Sequence, residues 1–221
     1  ALLSFDDAQT LFHEFGHALH QLLSNVTYEP LSGTSVSRDF VELPSQLFEH
    51  WLTVPEVLKQ FAVHYETKIP ISDALIERIK GASNYDKGYQ TVEYTSSALV
   101  DLYFHLSDTD HDIMKLQAEI LNKIEMPETL EMRHATPHFA HVFSGGYYAA
   151  AYYSYMWSEV MDEDVFSAFE EAGNPFDKKL ANSLEKNILS KGNSIDSEIA
   201  YVKFRGKLPK VDALLKGRGL V

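Results

Sequence analysis

The sequence predicts an all-α protein with at most a small β-hairpin. Two observations carry this reading. Apolar residues recur at helical spacing along almost all of the 221 residues, and no stretch shows the strict alternation of a half-buried strand series. There is also no internal repeat and no low-complexity tract.

The elements follow in order. A first helix is expected over residues 5–24. Ser4 is a suitable N-cap, and Asp6 and Asp7 favour the positive end of the helix dipole. Leu11, Phe12, Phe15, Leu19, Leu22 and Leu23 supply its apolar spacing. Residues 25–38 are turn-rich, with Pro30 and Gly33, and have room for one short hairpin. A helix over 40–52 places Pro44 in its first turn, where its missing N–H is not needed. Further helices are expected over 55–68, 72–83, 86–107 and 112–124, then a loop over 126–137. A long aromatic helix over 147–172 follows Ser144-Gly145-Gly146, and the chain closes with helices near 176–190, 194–204 and 209–216.

Composition bounds the function. A hydrophobic share of 45% with 23% charged residues suits a globular chain that buries a core. The net charge of −13 argues against nucleic acid as a main partner, because phosphate binding needs a basic face. No apolar run approaches the roughly 18 residues of a membrane span. With 0 cysteines there is no disulfide and no thiolate metal site, which leaves His, Asp and Glu as ligands.

The chemistry concentrates in His13-Glu14-Phe15-Gly16-His17, an H-E-x-x-H motif on the first helix. A helix turns about 100° per residue, so His13 and His17 share a face and can both point at one ion. Glu14 falls on the flank of that face, where it can reach a water as general base without replacing it. Glu42 lies in the apolar stretch Phe40-Val41-Glu42-Leu43, so its carboxylate is drawn inward and needs a partner. Two histidines and this glutamate make a three-ligand zinc site with one position open, the mark of a catalytic rather than a structural zinc. Gly16 weakens the helix by about 1 kcal/mol against alanine. Close approach of another helix or of a substrate backbone would each account for it.

A second group is His141 to Tyr155, which holds five of the chain's 12 tyrosines. On a continuous helix Tyr148 and Tyr155 share a face, as do Tyr148 and Tyr152. Tyr152 and Tyr153 are read as aromatic core. A phenol on this segment suits hydrogen bonding to the oxyanion formed when a peptide carbonyl is attacked. Gly145 and Gly146 would let the backbone come close to a bound peptide. His20 lies near the His13 stripe and is a candidate for supporting the metal ligands. His50, His64, His105 and His111 are read as surface or satisfied helix histidines. The roles of His134 and His138 stay open.

These residues resemble the thimet oligopeptidase family of zinc metallopeptidases, which includes oligopeptidase A and the bacterial dipeptidyl carboxypeptidases. The resemblance rests on Thr10-Leu11-Phe12-His13-Glu14-Phe15-Gly16-His17-Ala18-Leu19-His20, on Phe40-Val41-Glu42-Leu43-Pro44-Ser45-Gln46, and on the segment from His141 to Trp157. Phe204-Arg205-Gly206-Lys207 and Asp212-Ala213-Leu214-Leu215 resemble the family's carboxy terminus, so the match covers essentially the whole chain. It implies a zincin-like multi-helical catalytic domain that hydrolyses short peptides. It also implies one zinc on His13, His17 and Glu42, and Glu14 as general base. His141 and Tyr155 would be transition-state donors, and a Gly145–Gly146–Tyr147 loop would contact substrate. Tyr147 and Tyr148 compete for one further role. Tyr148 is preferred because it keeps the seven-residue step to Tyr155.

Ser32-Gly33-Thr34-Ser35-Val36-Ser37-Arg38-Asp39 looks more like the dipeptidyl carboxypeptidase branch. That implies release of carboxy-terminal dipeptides, with Arg38 or Arg133 as candidates to hold the free carboxylate. Endo-acting cleavage of the oligopeptidase A kind is the alternative. Members of this family are much longer, so residues 1–221 are expected to be a carboxy-terminal catalytic fragment. A missing amino-terminal region would complete the substrate channel. Without that region, the fragment could be a metal-binding helical module lacking useful catalysis. The expected location is the cytoplasm, with the periplasm as the alternative.

Overall fold

A computed structural model describes residues 2–108, 110 and 112–221. His111 lies outside the described residues. Among those described there are 11 α-helices and no strand, only an isolated antiparallel bridge between Val63 and Pro70. Among the described residues, no helix is long and apolar enough to cross a membrane. The all-α expectation therefore holds. The helices are α1 (Phe5–Leu22), α2 (Arg38–Leu52), α3 (Pro55–Phe61), α4 (Asp73–Ser83), α5 (Lys87–Leu106) and α6 (Ile113–Lys123). They continue as α7 (Ala140–Phe143), α8 (Ser154–Glu171), α9 (Lys178–Leu184), α10 (Ser197–Arg205) and α11 (Val211–Gly217).

The chain divides into two compact units, residues 1–85 with 157–221, and residues 86–156. In the first, α1 packs chiefly on α2. Ser4 caps α1 as expected, accepting the Asp7 N–H at 3.1 Å while Asp7 returns to the Ser4 N–H at 3.0 Å. The core of this unit joins Phe40, Leu43 and Leu47 of α2 to Met161, Val165 and Phe169 of α8, and on to Leu184, Ile188 and Tyr201. Asp164 of α8 takes the Tyr201 hydroxyl at 2.6 Å and Arg205 Nε at 3.1 Å, which ties α10 to the same core. In the second unit Val100, Ile120 and Met132 form a smaller core between α5 and α6.

Several boundaries differ from the sequence expectation. Residues 25–38 hold a 3-10 turn at Glu29–Leu31 and no hairpin. The helix expected over 55–68 ends at Phe61. His64 N–H then bonds Ile69 O at 2.9 Å and Lys68 takes a left-handed φ of 59°, so the chain turns back on itself there. α2 begins at Arg38, so Pro44 lies inside the helix rather than in its first turn. It therefore leaves the Phe40 carbonyl without its intrahelical donor. The helix near 176–190 starts at Lys178, capped by Asp177, and loosens into a π-turn over Glu185–Leu189. The largest departure is at 147–172. Helix α8 begins only at Ser154, and residues 147–153 form turns.

Candidate metal centre

Helix periodicity explains how α1 and α2 build one site. His13 and His17 lie one turn apart on α1, with ring centroids 5.0 Å apart. On α2, Glu42, Ser45 and Glu49 recur at +3 and +7, again one stripe. The two stripes meet because Gly16 removes the side chain between them. A Cβ there would stand 2.5 Å from Ser45 Cα and 2.6 Å from Pro44 O. Of the two explanations for this glycine, close helix approach is the one the fold displays.

Glu42, only 5% exposed, is the meeting point. Its Oε2 lies 3.4 Å from His13 Nε2 and 3.2 Å from His17 Nε2. Two ligand atoms each about 2.1 Å from a tetrahedral zinc are about 3.4 Å apart. The donor set therefore fits such an ion. All three ligand atoms lie within 4.8 Å of one another. Ser45 Oγ sits 3.0 Å from the same carboxylate oxygen and 2.9 Å from Glu42 O, which fixes the Glu42 side chain.

Charge follows geometry. Burial alone would lower the His13 imidazolium, but Glu42 and Glu49 outweigh it and raise it to about 9. Burial alone would raise the Glu42 carboxyl, but His13 and His17 hold it well below the usual range. Both shifts come from pairing between the histidines and the carboxylates, so the group is set to hold positive charge beside Glu42 and Glu49; a divalent cation would supply it.

Glu49 was missed in the sequence reading. Its Oε1 lies 2.6 Å from His13 Nδ1, and its Oε2 accepts from Gln9 Nε2 at 2.5 Å. A carboxylate on Nδ1 fixes the ring and leaves Nε2 for a metal. The available signal was its seven-residue step from Glu42, two turns along one helix. A cavity of about 340 Å³ lined by Asp6, Gln9, Thr10, His13 and Glu49 opens beside the group. Glu14, one residue beyond His13, is exposed on α1.

His20 is fully buried, and neither ring nitrogen has a hydrogen-bond partner. Burial first, and His17 second, lower it to about 4, so it stays neutral. A second cluster, His50, Asp162 and Glu163, is also spaced for a cation. There His50 Nε2 and Asp162 Oδ1 lie 2.7 Å apart and satisfy each other. His50 is thus a satisfied helix histidine, as expected.

The tyrosine group lies in the second unit and is described within it. Tyr155 Oη is 3.2 Å from His141 Nε2. Tyr148 packs on His141 at 4.3 Å and lies parallel to Tyr155 at 6.2 Å. The expected neighbours do come together, but through a turn rather than a continuous helix face. Tyr147 is 70% exposed. Tyr152, expected in an aromatic core helix, instead stacks on Tyr94 at 4.9 Å, with its ring 5.6 Å from His141. Tyr153 is exposed rather than core. A Cβ at Gly145 or Gly146 would meet nothing within 4 Å, so the fold itself does not require glycine at either position. Arg133 is exposed and lies within electrostatic reach of His134 and Tyr152.

An H-E-x-x-H helix crossed by a glutamate-bearing helix defines a metal-site class, and sequence comparison gives the family. The model of peptidase family M3 matches residues 1–220. The chain is 41% identical to a dipeptidyl carboxypeptidase and 38% identical to oligopeptidase A, both of Escherichia coli (strain K12). It is 34% identical to a thimet-like oligopeptidase of Dictyostelium discoideum. Each match takes in 100% of this chain and 33% of the relative, so the chain spans about a third of the relatives' length. The chain belongs to peptidase family M3. Membership implies a divalent metal ion, which the His13–His17–Glu42 set fits.

Proposed function

We propose that this chain is the zinc-bearing, carboxy-terminal part of the catalytic domain of a peptidase that acts on short peptides. The observation that carries the reading is the convergence of His13 Nε2 and His17 Nε2 on Glu42 Oε2 at 3.4 and 3.2 Å. Zinc held there would supply a Lewis-acid charge that makes water acidic near neutral pH and steadies a negative oxygen. Glu14 takes the proton of the attacking water and returns it to the leaving amine. Tyr155, His141 and Tyr148 act as donors to the oxyanion. Their support is that they form one cluster within residues 86–156. Gly145, Gly146 and Tyr147 contact the substrate backbone, and an amino-terminal region of the same protein supplies the rest of the substrate site.

Glu49 orients His13. Glu49→Gln in the full-length protein is expected to weaken zinc about 10- to 100-fold. Competition with a chelator measures this, and unchanged affinity would remove Glu49 from the site.

The favoured cleavage mode is release of carboxy-terminal dipeptides, supported by the 41% identity to a dipeptidyl carboxypeptidase. Endo-acting cleavage is the second reading, supported by the 38% identity to oligopeptidase A. Product analysis on a peptide with a free and with an amidated carboxy terminus separates them. Dipeptide release that stops on amidation is expected. Equal cleavage of both peptides would establish the endo mode.

A further inference from the structure

We propose that Asp101 is a positioning residue that holds the tyrosine turn in shape through two backbone N–H groups. The proposal rests on the roles given above to Tyr148 and Tyr155.

Asp101 lies on α5 and is 0% exposed. A carboxylate in that position must be hydrogen-bonded. Its Oδ1 accepts the Ala150 N–H at 3.0 Å, and its Oδ2 accepts the Tyr152 N–H at 2.9 Å. One oxygen therefore serves each of two alternate amides. His105, one turn further along α5, places Nδ1 2.8 Å from Oδ1 and 2.9 Å from the Asp101 carbonyl. Its ring stacks on Phe143 at 5.5 Å, just before the glycine pair.

The segment so held is not one the chain adopts freely. Ala151 N–H bonds Tyr148 O at 3.0 Å, closing a four-residue turn with Ala150 third. Ala150 has φ +57°, a left-handed conformation in which glycine is the usual residue. Such a conformation persists in alanine only when its surroundings impose it. Asp101 imposes it by binding the amides on either side of residue 151. Tyr94, two turns before Asp101 on the same face of α5, donates its hydroxyl to Tyr152 O and stacks on the Tyr152 ring. Both sides of the Tyr152 backbone are thus gripped from α5.

This grip also explains why the expected helix starts late. The Tyr152 amide finds its acceptor on Asp101, the Ala150 amide is shared between Asp101 Oδ1 and His105 Nδ1 at 3.2 Å, and α8 begins at Ser154. It sets the path between Tyr148, which opens the turn, and Tyr155, in the first turn of α8. Their rings are brought parallel at 6.2 Å, with His141 against Tyr148. Asp101 acts through these groups and does not itself need to touch substrate.

The test uses the full-length protein. Asp101→Asn keeps the shape but offers one acceptor oxygen where two amides need one each. Hydrogen exchange at residues 148–152 is expected to quicken about tenfold or more, with other segments unchanged. The kcat is expected to fall about tenfold or more, KM to change less, and zinc content to stay the same. Tyr94→Phe keeps the ring stack and should loosen the same amides to a smaller extent. It carries the test if Asp101→Asn does not fold. Unchanged exchange and unchanged kcat in Asp101→Asn would overturn the proposal, as would unchanged exchange in a Tyr94→Phe standing alone. Tyr155→Phe is the separate control. Full activity in that variant would overturn the role of Tyr155 and leave the clamp to be judged by exchange alone.

Discussion

Replacing Gly16 by alanine is expected to destabilise the protein and weaken metal binding together, although helix propensity alone predicts the reverse. Alanine favours a helix interior by about 1 kcal/mol over glycine. Packing opposes that gain. The new methyl would meet Ser45 Cα at 2.5 Å and Pro44 O at 2.6 Å, and both are backbone atoms that no rotamer change can move. α1 must then back away from α2. Overpacking of this kind costs about 1–3 kcal/mol or somewhat more. Net of the propensity gain, that lowers the thermal midpoint by a few degrees, at roughly 2–4 °C per kcal/mol for a unit of this size. The same displacement pulls His13 and His17 away from Glu42, whose Oε2 now lies 3.4 and 3.2 Å from their Nε2 atoms. Thermal unfolding and chelator competition on the full-length variant check both effects. A rise in the midpoint with unchanged zinc affinity would mean that the α1–α2 approach has slack.

The grouping of His13, His17 and Glu42 was legible because its signals are local. The i,i+4 step from His13 to His17 needs only a helix. The inward pull on Glu42 needs only its apolar neighbours. The helical class was legible for the same reason. Ser4 caps α1 as its position suggested.

What the sequence did not disclose depends on contacts between distant residues. Glu49 became visible only when α2 was seen to face α1, placing its carboxylate 2.6 Å from His13 Nδ1. Sequence puts Pro44 in a first turn because helix starts are weak signals. In fact α2 begins at Arg38, and the proline sits inside the helix with its backbone carbonyl against Gly16. The tyrosine segment reads as helix by periodicity, yet residues 147–153 turn. Their amides are captured by Asp101 on α5, some fifty positions earlier. Tyr148 still reaches Tyr155, by a path that periodicity did not describe.

The second large effect concerns Glu14. Glu14→Gln in the full-length protein is expected to keep its zinc and lose its turnover. Glu14 lies outside the proposed ligand set, exposed on α1 and about 100° around the helix from His13. Glutamine leaves the three proposed ligands in place but cannot take a proton from the attacking water. Loss of a general base lowers the rate by about 10²–10⁴. Retained binding with lost turnover is what separates a base from a ligand. Changing His13 to alanine instead would remove both. The most direct measurement is therefore zinc content and hydrolysis of a short peptide, taken on one sample of full-length Glu14→Gln. One zinc per chain with turnover reduced at least about a hundredfold is the predicted result. One zinc per chain with turnover equal to the unmodified protein would contradict the assignment of Glu14 and the reaction built on it.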